Sequence, residues 1–322
     1  MVNRSTTNWN LFWQHHLGRW LGQWTRYSQT GKIQETFKST RSFSANSDHS
    51  EIAQIKQQTD ANGDINTMRW NYSIHEHSHN DGFAHPASTL MRGFAFENGA
   101  AAWLIPQLKD TQYQPFELFL IQKDIRHSVG MLYGDSGQLL HTASIREYRG
   151  DLLNNCWSTN VEQVNPWSIE GTWQGEKLQI NSNLSRGLIQ AIKWEWNKDE
   201  LEDNQSNHFF PDNIILRCPT KLLQDKSFSI TSYWQTKNNQ LQIIRSDYNH
   251  LHQLINVSQQ TMHQTANASD SQRTLKQWID YIPARMAEIT AWVRSLTPSL
   301  PITVLTWLLI VSGLTNKTSA IS

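Results

Sequence analysis

The sequence predicts a mainly β protein: two antiparallel β-barrels in tandem, followed by a C-terminal helical tail. Many short segments alternate apolar and polar residues and are separated by turn signals such as Asn62-Gly63. Such a succession of short strands and Gly/Asn turns is typical of barrels and sandwiches. A Gly-x-Trp-x-Gly motif occurs at 18–22 and again at 171–175, so each β-rich half begins in the same way. The repeated motif indicates a repeated architecture.

Length and charge limit the class of protein. The 322 residues are enough for two ordinary domains. Lysine plus arginine and aspartate plus glutamate each number 28, so the net charge is zero and the basic stripe of a nucleic-acid-binding protein is absent. Only two cysteines, Cys156 and Cys218, are present, which excludes a disulfide framework and indicates an intracellular protein. Residues 1–10 are polar, so we expect no secretion signal.

The first predicted element is a short helix, because residues 9–17 place Trp and Phe side chains at helical spacing and Gly18 follows. Strand-type alternation comes next, interrupted by polar, turn-rich segments at 73–86 and 197–207 that predict loops. A late strand of the second half is predicted at 251–257. The predicted strands of the first half are 20–27, 33–39, 52–58, 67–74, 91–96, 100–105, 116–122, 125–133 and 138–148.

These segments predict three parts of the chain. A first barrel with its leading helix occupies 1–155, and a smaller second barrel occupies 166–264. The third part is a helical tail at 273–322, because apolar residues return to helical spacing there.

The repeated motif also predicts how each barrel is closed at one end. A Trp on the first strand can fill the closed end, and the glycines beside it let neighbouring strands approach closely. A cation from a late strand can stack on the indole ring, which contributes about 0.5–1 kcal/mol. The predicted structural residues are Gly18, Trp20, Gly22 and Arg146 in the first half, and Gly171, Trp173, Gly175 and Arg245 in the second.

The tail contains a stretch without charge at 295–314, which has the length of a transmembrane helix. Arg285 and Arg294 precede it and only Lys317 follows, so the positive-inside bias leaves both barrels on the cytoplasmic side of the membrane. Two prolines and several hydroxyl side chains weaken the signal. A helix lying on the membrane surface, a helix docked on a barrel and a disordered tail therefore remain alternatives.

One histidine-rich segment contains candidate ligands for a metal ion. His75, His77 and His79 alternate, and on a strand they would share one face. Three imidazoles can hold zinc and leave one position open. The surrounding residues are polar and turn-rich, however, so a solvated loop is the competing interpretation.

Two carboxylates lie inside predicted strands. Glu117 and Glu147 would point into a barrel, where each is expected to pair with a cation such as Arg126 or Arg146. A role as catalytic acids is the alternative. No nucleophile, metal-protease, phosphate-binding or dinucleotide motif is present, so we predict that the protein is not an enzyme.

The first predicted strand supplies further candidate binding residues. Trp24, Arg26 and Tyr27 lie on it, and Trp24 shares a side with Trp20, so its indole can line a cavity. Filling of the core by the same side chains is the alternative. The candidate ligand- or partner-binding residues are thus Trp24, Arg26, Tyr27, Glu117 and Glu147.

Several segments together resemble one known family. The opening 13–43, the Phe-Glu-Asn-Gly-Ala run at 96–100, and Pro-Phe-Glu at 115–117 match it, as do 137–149, 171–175 and 244–248. The chain resembles the DUF3598 family of cyanobacteria and plastids over roughly residues 9–260. That family belongs with the calycins, so the resemblance implies two lipocalin-like barrels and a photosynthetic host.

The resemblance also implies functions. A plant relative is a biogenesis factor for ATP synthase, which implies a non-enzymatic assembly factor acting on a protein subunit of a photosynthetic membrane complex, on the cytoplasmic side of a membrane such as the thylakoid. The alternatives are a carrier of a bilin, carotenoid or lipid, and a chaperone that resembles the bilin lyases. No cofactor is expected beyond a small hydrophobic ligand.

Overall fold

The computed structural model describes residues 3–109, 112–150, 156–196 and 204–265. The predicted tail at 273–322, with its candidate membrane span at 295–314, lies outside these residues. No helix within the described ranges is both long enough and apolar enough to span a bilayer.

The predicted N-terminal helix is present as α1 (Arg4–His16). It begins earlier than its apolar spacing indicates, because the Asn3 side chain caps it by accepting the Ser5 backbone N–H at 3.1 Å. The chain becomes extended at Leu17 and enters the first strand at once. The buried face of α1 consists of Asn8, Trp9, Phe12, Trp13 and His16.

The first sheet has eleven strands, and every neighbouring pair is antiparallel. Its hydrogen-bonded order is β4-β3-β2-β1-β11-β10-β9-β8-β7-β6-β5. The strands are β1 (Gly18–Ser28), β2 (Ile33–Ala45), β3 (Glu51–Thr59), β4 (Ile65–Ser73), β5 (Ser78–His79), β6 (Gly82–His85), β7 (Ser88–Ala95), β8 (Ala101–Leu104), β9 (Gln114–Gln122), β10 (Ile125–Tyr133) and β11 (Leu139–Arg149).

This sheet curls into a nearly closed barrel. Its two edge strands, β4 and β5, are joined by one turn of helix, α2 (Ile74–His77). Tyr72 of β4 packs edge-on against His85 of β6, with 5.5 Å between ring centroids, so aromatic side chains bridge the edges. The segment 73–86, predicted as a loop, thus forms α2, β5 and β6 and completes the wall.

The second sheet has seven antiparallel strands in the order β13-β12-β18-β17-β16-β15-β14. The mainly antiparallel β fold predicted for both halves is therefore confirmed, whereas closure of this sheet into a second barrel stays a prediction. The strands are β12 (Thr172–Asn181), β13 (Gln190–Glu195), β14 (Gln205–Phe210), β15 (Ile214–Pro219), β16 (Phe228–Lys237), β17 (Gln240–Tyr248) and β18 (Leu254–Gln264).

The two sheets share a hydrophobic core, and Met1–Thr265 forms one compact unit. We call the face of each sheet that carries the motif Trp the inner face, and the opposite one the outer face. Leu118 and Val129 on the outer face of the first sheet belong to one cluster with Leu216 and Ile244 of the second. The Tyr133 hydroxyl of β10 also donates to the Pro219 carbonyl of β15 at 2.8 Å. The predicted domain boundaries stay a prediction.

Both copies of the Gly-x-Trp-x-Gly motif have the same geometry. Gly18 and Gly171 adopt φ values of 98° and 90°, which favour glycine. Trp20 and Trp173 are fully buried, and each indole N–H donates to a backbone carbonyl just before the strand. The second glycine of each motif lies against the backbone of the last strand, at Arg146 for Gly22 and at Thr261 for Gly175, so a Cβ there would clash.

The prediction that Arg146 stacks on Trp20 and Arg245 on Trp173 is wrong. Arg149 and Arg126 lie over Trp20, with Cζ 5.0 Å and 4.3 Å from the ring centroid. Arg146 faces the outer side, because neighbouring residues on a strand point in opposite directions. It binds Asp212 and the carbonyls of Ser158 and Asn160.

Arg245 of the second sheet also has a different partner. Its Nε donates to Asp247 at 2.7 Å. In the second half a different arginine, Arg217, lies over a different Trp ring, with its Cζ 4.8 Å from the centroid of Trp196.

Candidate functional site

The helix α1 closes one end of the first barrel with aromatic side chains. Phe12 and Trp13 project from the helix onto the rings of Phe43, Phe83 and Trp103, at centroid distances between 5.0 and 5.9 Å. Aromatic edge-to-face pairs of this kind contribute about 0.5–1.5 kcal/mol each beyond the burial of area. The barrel therefore has a rigid apolar floor.

A layer of charged side chains lies above this floor on the inner face. Glu147 of β11 is fully buried and accepts two hydrogen bonds from Arg41 of β2, at 2.6 and 3.1 Å. It also accepts the Nε–H of Arg126 of β10 at 2.8 Å. Gly22 pairs with Glu147 in the register of β1 and β11, and its missing side chain leaves the room that the carboxylate chain occupies.

The second carboxylate, Glu117 of β9, completes the layer. Its Oε1 accepts the hydroxyl of Ser128 at 2.7 Å and lies 3.6 Å from Nη2 of Arg41. Arg126 in turn donates from Nη1 to Nδ1 of His16 on α1 at 2.8 Å. The charged layer is therefore connected to the helix below it, and burial in such a layer is tolerated because each charge is paired.

The protonation states follow from this pairing. Burial alone would raise the pKa of Glu147, but the charges and hydrogen bonds of Arg126 and Arg41 outweigh it and hold the pKa below its ordinary value. Burial lowers the pKa of Arg126 to about 10 although Glu147 opposes the shift. Burial also lowers the pKa of His16 well below its ordinary value, with a further contribution from Arg126. At neutral pH Glu147, Arg41 and Arg126 are thus ionised, and His16 is neutral.

A further cation lies higher in the barrel. The Nζ of Lys56 on β3 is 3.9 Å from the centroid of the Trp24 ring, and Cζ of Arg41 is 5.2 Å from the same ring. Burial, with a smaller contribution from the charge of Arg41, lowers the pKa of Lys56 to about 8. Trp24 thus lies on the inner face with Trp20, as predicted, and holds two cations against its indole.

A cavity of about 180 Å³ lies between the floor and the charged layer. A cavity of this size can hold a molecule with a single aromatic ring, since an apolar cavity of about 150 Å³ binds benzene. Its lining is apolar on one side and polar on the other. The residues around it are Phe12, Arg41, Phe43, Gln54, Tyr72, His85, Ala87, Ser88, Met91, Trp103, Glu117, Phe119 and Arg126.

Neighbouring groups determine the hydrogen bond of one lining residue, Tyr72, and the charge of another, His85. Tyr72 donates its buried hydroxyl to Gln54 at 2.6 Å. Burial lowers the pKa of His85 to about 4, and the charges of Arg41 and Lys56 add to that effect. His85 therefore faces the cavity as a neutral imidazole at physiological pH.

The candidate residues from the sequence separate into two groups. Glu117, Glu147 and Trp24 meet on the inner face of the first barrel. Arg26 lies further along the same face of β1, whereas Tyr27 lies on the opposite face. Arg26 is partly exposed and pairs with Glu35 at 2.9 Å. Tyr27 lies on the outer face, in the shared core, and donates its hydroxyl to the Val161 carbonyl at 2.6 Å. Their predicted roles in binding remain untested.

The hypothesis of a zinc site is not supported by the geometry. His75 and His77 lie on the helical turn α2 and His79 on β5, so the three rings do not share one strand face. The Nδ1 of His77 instead accepts the Ser73 backbone N–H at 3.0 Å. Within the part of the chain that the structure describes, no three His, Cys, Asp or Glu side chains are close enough to hold a metal ion.

Sequence reasoning missed Arg41, Lys56 and His85 as inner-face residues. For Arg41 a signal was present: Phe37, Ser39, Arg41 and Phe43 alternate on β2, so an arginine occupies a position on a buried face. The predicted strand ended at residue 39, and that position was therefore not assigned to a strand.

The fold of this chain is similar to that of solved structures. A crystal structure of a protein of unknown function from the DUF3598 family of Nostoc punctiforme matches with a TM-score of 0.62 at 16% identity, covering 80% of this chain and 99% of that one. This likeness shows the fold. The S-type phycobiliprotein lyase of Guillardia theta matches with a TM-score of 0.32 at 11% identity, covering 47% and 97%, which is too weak to support an argument. No curated protein matches the sequence.

The family comparison agrees with the resemblance seen in the sequence. The model described as "Domain of unknown function (DUF3598), N-terminal" matches residues 5–152. These residues contain α1 and every strand of the first sheet, including the inner-face charges. The resemblance to the DUF3598 family is therefore confirmed for residues 5–152.

Proposed function

We propose that the first barrel is a non-enzymatic binding cup for a small amphipathic molecule. The cavity of about 180 Å³ carries this proposal, because aromatic rings line its floor while Arg41, Glu117 and Gln54 line its polar side. Ligand sites in proteins typically combine an apolar lining with a few placed polar groups. A carotenoid, a lipid or a bilin exceeds this volume, so such a ligand would place only one end in the cavity.

Binding can be tested on the full chain by isothermal titration calorimetry with 3-phenylpropan-1-ol, which has one ring and one polar end. The variant Ala87→Trp places a large ring in the wall of the cavity and should abolish binding. Ala53→Trp is the matched control, because Ala53 is exposed on the outer face of β3. If no heat of binding is seen for the wild type with this alcohol or with its carboxylate and amine analogues, the proposal fails.

The assembly role remains a second proposal, supported by the family resemblance alone. It concerns a protein subunit of a photosynthetic membrane complex such as ATP synthase, with the protein held on the cytoplasmic side of the membrane. The test is purification of the tagged full chain from gently solubilised membranes of a photosynthetic host. Recovery of the same complex subunits in repeated preparations would support the role, and their repeated absence would count against it.

We also infer that the second sheet closes into a smaller barrel, so that the lipocalin-like architecture occurs twice. Trp194, at the end of edge strand β13, packs against Tyr233 of β16, with ring centroids 5.9 Å apart. The neighbouring Trp196 lies under Arg217 of β15. Side chains at one edge therefore reach strands near the opposite edge. An experimental structure with β13 and β14 splayed apart would contradict this inference.

A further inference from the structure

The charges on the inner face of the first barrel do not balance. Beside the ion pairs Arg26–Glu35 and Arg149–Asp124, this face carries two carboxylates, Glu117 and Glu147, and three cations, Arg41, Arg126 and Lys56. Arg41 and Arg126 share Glu147, and Arg41 also lies near Glu117. No carboxylate of the described residues lies within 4.0 Å of the Lys56 amine, so this cation is in excess.

The position of Lys56 is unfavourable for a free charge. Contact with the Trp24 ring at 3.9 Å stabilises the ammonium group but does not neutralise it. The side chain is half-buried, and burial shifts its pKa downward to about 8. A buried charge is ordinarily paired, because its transfer out of water is costly.

Lys56 lies beyond the lining of the cavity, and Arg41 lies between the two. Arg41 lines the cavity and at the same time lies over the Trp24 ring that Lys56 contacts. A molecule with its ring on the aromatic floor would therefore extend its other end past Arg41 toward the lysine.

We propose that the ligand of the first barrel carries a carboxylate that binds Lys56, while its apolar part occupies the cavity. This inference rests on the proposed function and specifies its ligand class. One excess cation matches one monoanionic group, which favours a carboxylate over a phosphate dianion. The same charge would repel an amine of equal size.

The test compares three ligands that differ only at one end. Full-length protein is titrated at pH 7 with 3-phenylpropionate, 3-phenylpropan-1-ol and 3-phenylpropylamine, and each Kd is measured by calorimetry. We expect the carboxylate to bind about tenfold tighter than the alcohol or more, because hydrogen bonds to charged groups are among the stronger ones. The amine should bind most weakly.

Variants assign the preference to one residue. Lys56→Met should remove the preference for the carboxylate over the alcohol, while Lys56→Arg should keep the preference. Lys38→Met is the matched control, since Lys38 is exposed on β2 and lines a groove on the outer face. Should Lys56→Met fail to fold, the same loss is measured on the wild type by raising the pH from 7 to 9.5.

The outcomes separate the two proposals. Binding of the alcohol without any preference for the carboxylate overturns the anionic ligand and leaves the binding cup intact. Preference that persists in folded Lys56→Met, or that survives at pH 9.5, overturns the assignment to Lys56. Absence of binding by all three ligands overturns the binding cup itself.

Discussion

The two halves of the molecule place different side chains at one equivalent position. In the first sheet Gly22 pairs with Glu147 on the last strand, and in the second sheet Gly175 pairs with Met262 on the last strand. Both glycines follow a buried Trp and both lie against the neighbouring backbone. The same local geometry therefore surrounds a carboxylate in one half and a thioether in the other.

The surroundings of that position differ accordingly. Glu147 meets Arg41 and Arg126, whereas Met262 belongs to an apolar cluster with Trp173, Ile215, Tyr233, Leu241 and Ile243. A close-packed apolar interior needs no charge for its stability, and a buried ion pair often adds little. The motif therefore places a buried Trp beside a close contact of the first and last strands in both halves, whereas the charged layer belongs to the first half.

The largest expected effect on stability comes from giving the first half the residue that the second half has at the equivalent position. Glu147→Met places the residue of the second half in the first, and leaves Arg41 and Arg126 buried without their carboxylate. We expect it to lower the free energy of unfolding by about 3–5 kcal/mol, measured by urea denaturation. The control, Glu35→Gln, breaks the exposed pair with Arg26 and should cost about 0–1 kcal/mol.

Acid should reproduce part of that loss. Because the folded protein holds the pKa of Glu147 below its ordinary value, the carboxylate stabilises the fold at neutral pH. This contribution is lost as the pH falls from about 4.3, the ordinary value, through the lowered pKa. Glu147→Met should show a smaller fall of stability in acid than the wild type. Equal acid sensitivity of both proteins would contradict the role of Glu147.

A smaller effect is expected at the feature that the halves share. Gly22→Ala and Gly175→Ala each place a Cβ against the backbone of the last strand, so each should lower the free energy of unfolding by about 1–3 kcal/mol. Gly130→Ala is the matched control, since its new Cβ would lie 3.5 Å from the nearest atom, the Cβ of Ala143. Similar costs in both halves would support their equivalence, and a cost in only one half would break it.

The smallest expected effect lies at Lys56, where the fold disfavours the ionised side chain, in contrast to Glu147. Its pKa is about 8 in the folded protein against an ordinary 10.5, so the unfolded chain binds more protons between these values. Stability should therefore rise by about 1 kcal/mol as the pH increases through this range, after allowance for partial exposure. The charged groups that act on Lys56 are Arg41, Glu117, Glu147 and Arg26.

Other groups also titrate near pH 10. The contribution of Lys56 is therefore obtained as the difference between the wild type and Lys56→Met. Lys56→Met should lack the rise that the wild type shows between pH 7 and 10 in chemical denaturation, whereas Lys38→Met should keep it. A wild type and a Lys56→Met variant with parallel pH profiles would show that the amine is not desolvated.

Much of the fold could be predicted from alternation and turn residues. The strand predicted at 125–133 has the same bounds as β10, because its alternation is regular and turn residues flank it. The wall segment at 74–85 could not be predicted in this way. Its helix is a single turn and β5 has two residues, so packing against α1 and the neighbouring strands determines both.

The candidate site was predictable only in part, and the reason is register. Glu147 and its pairing with Arg126 follow from alternation within single strands. The stacking of Arg149 and Arg126 on Trp20 depends on how β1 aligns with its neighbours, and a shift of one residue exchanges the two faces. Arg146 was placed on the wrong face because its neighbour Glu147 was also predicted to point into the barrel, and consecutive residues of one strand cannot share a face. The position of Lys56 on Trp24 likewise depends on strands that are not adjacent in sequence.

The core shared by the two sheets has a consequence for synthesis on the ribosome. The last strand of the first sheet ends at Arg149, but the strands that cover its outer face end only at Gln264. At a translation rate of about 5–20 residues per second, the finished first barrel therefore waits roughly 6–23 s with an apolar face uncovered. During that interval the nascent chain is the form of this protein most prone to aggregate, and the form on which a holding chaperone would act.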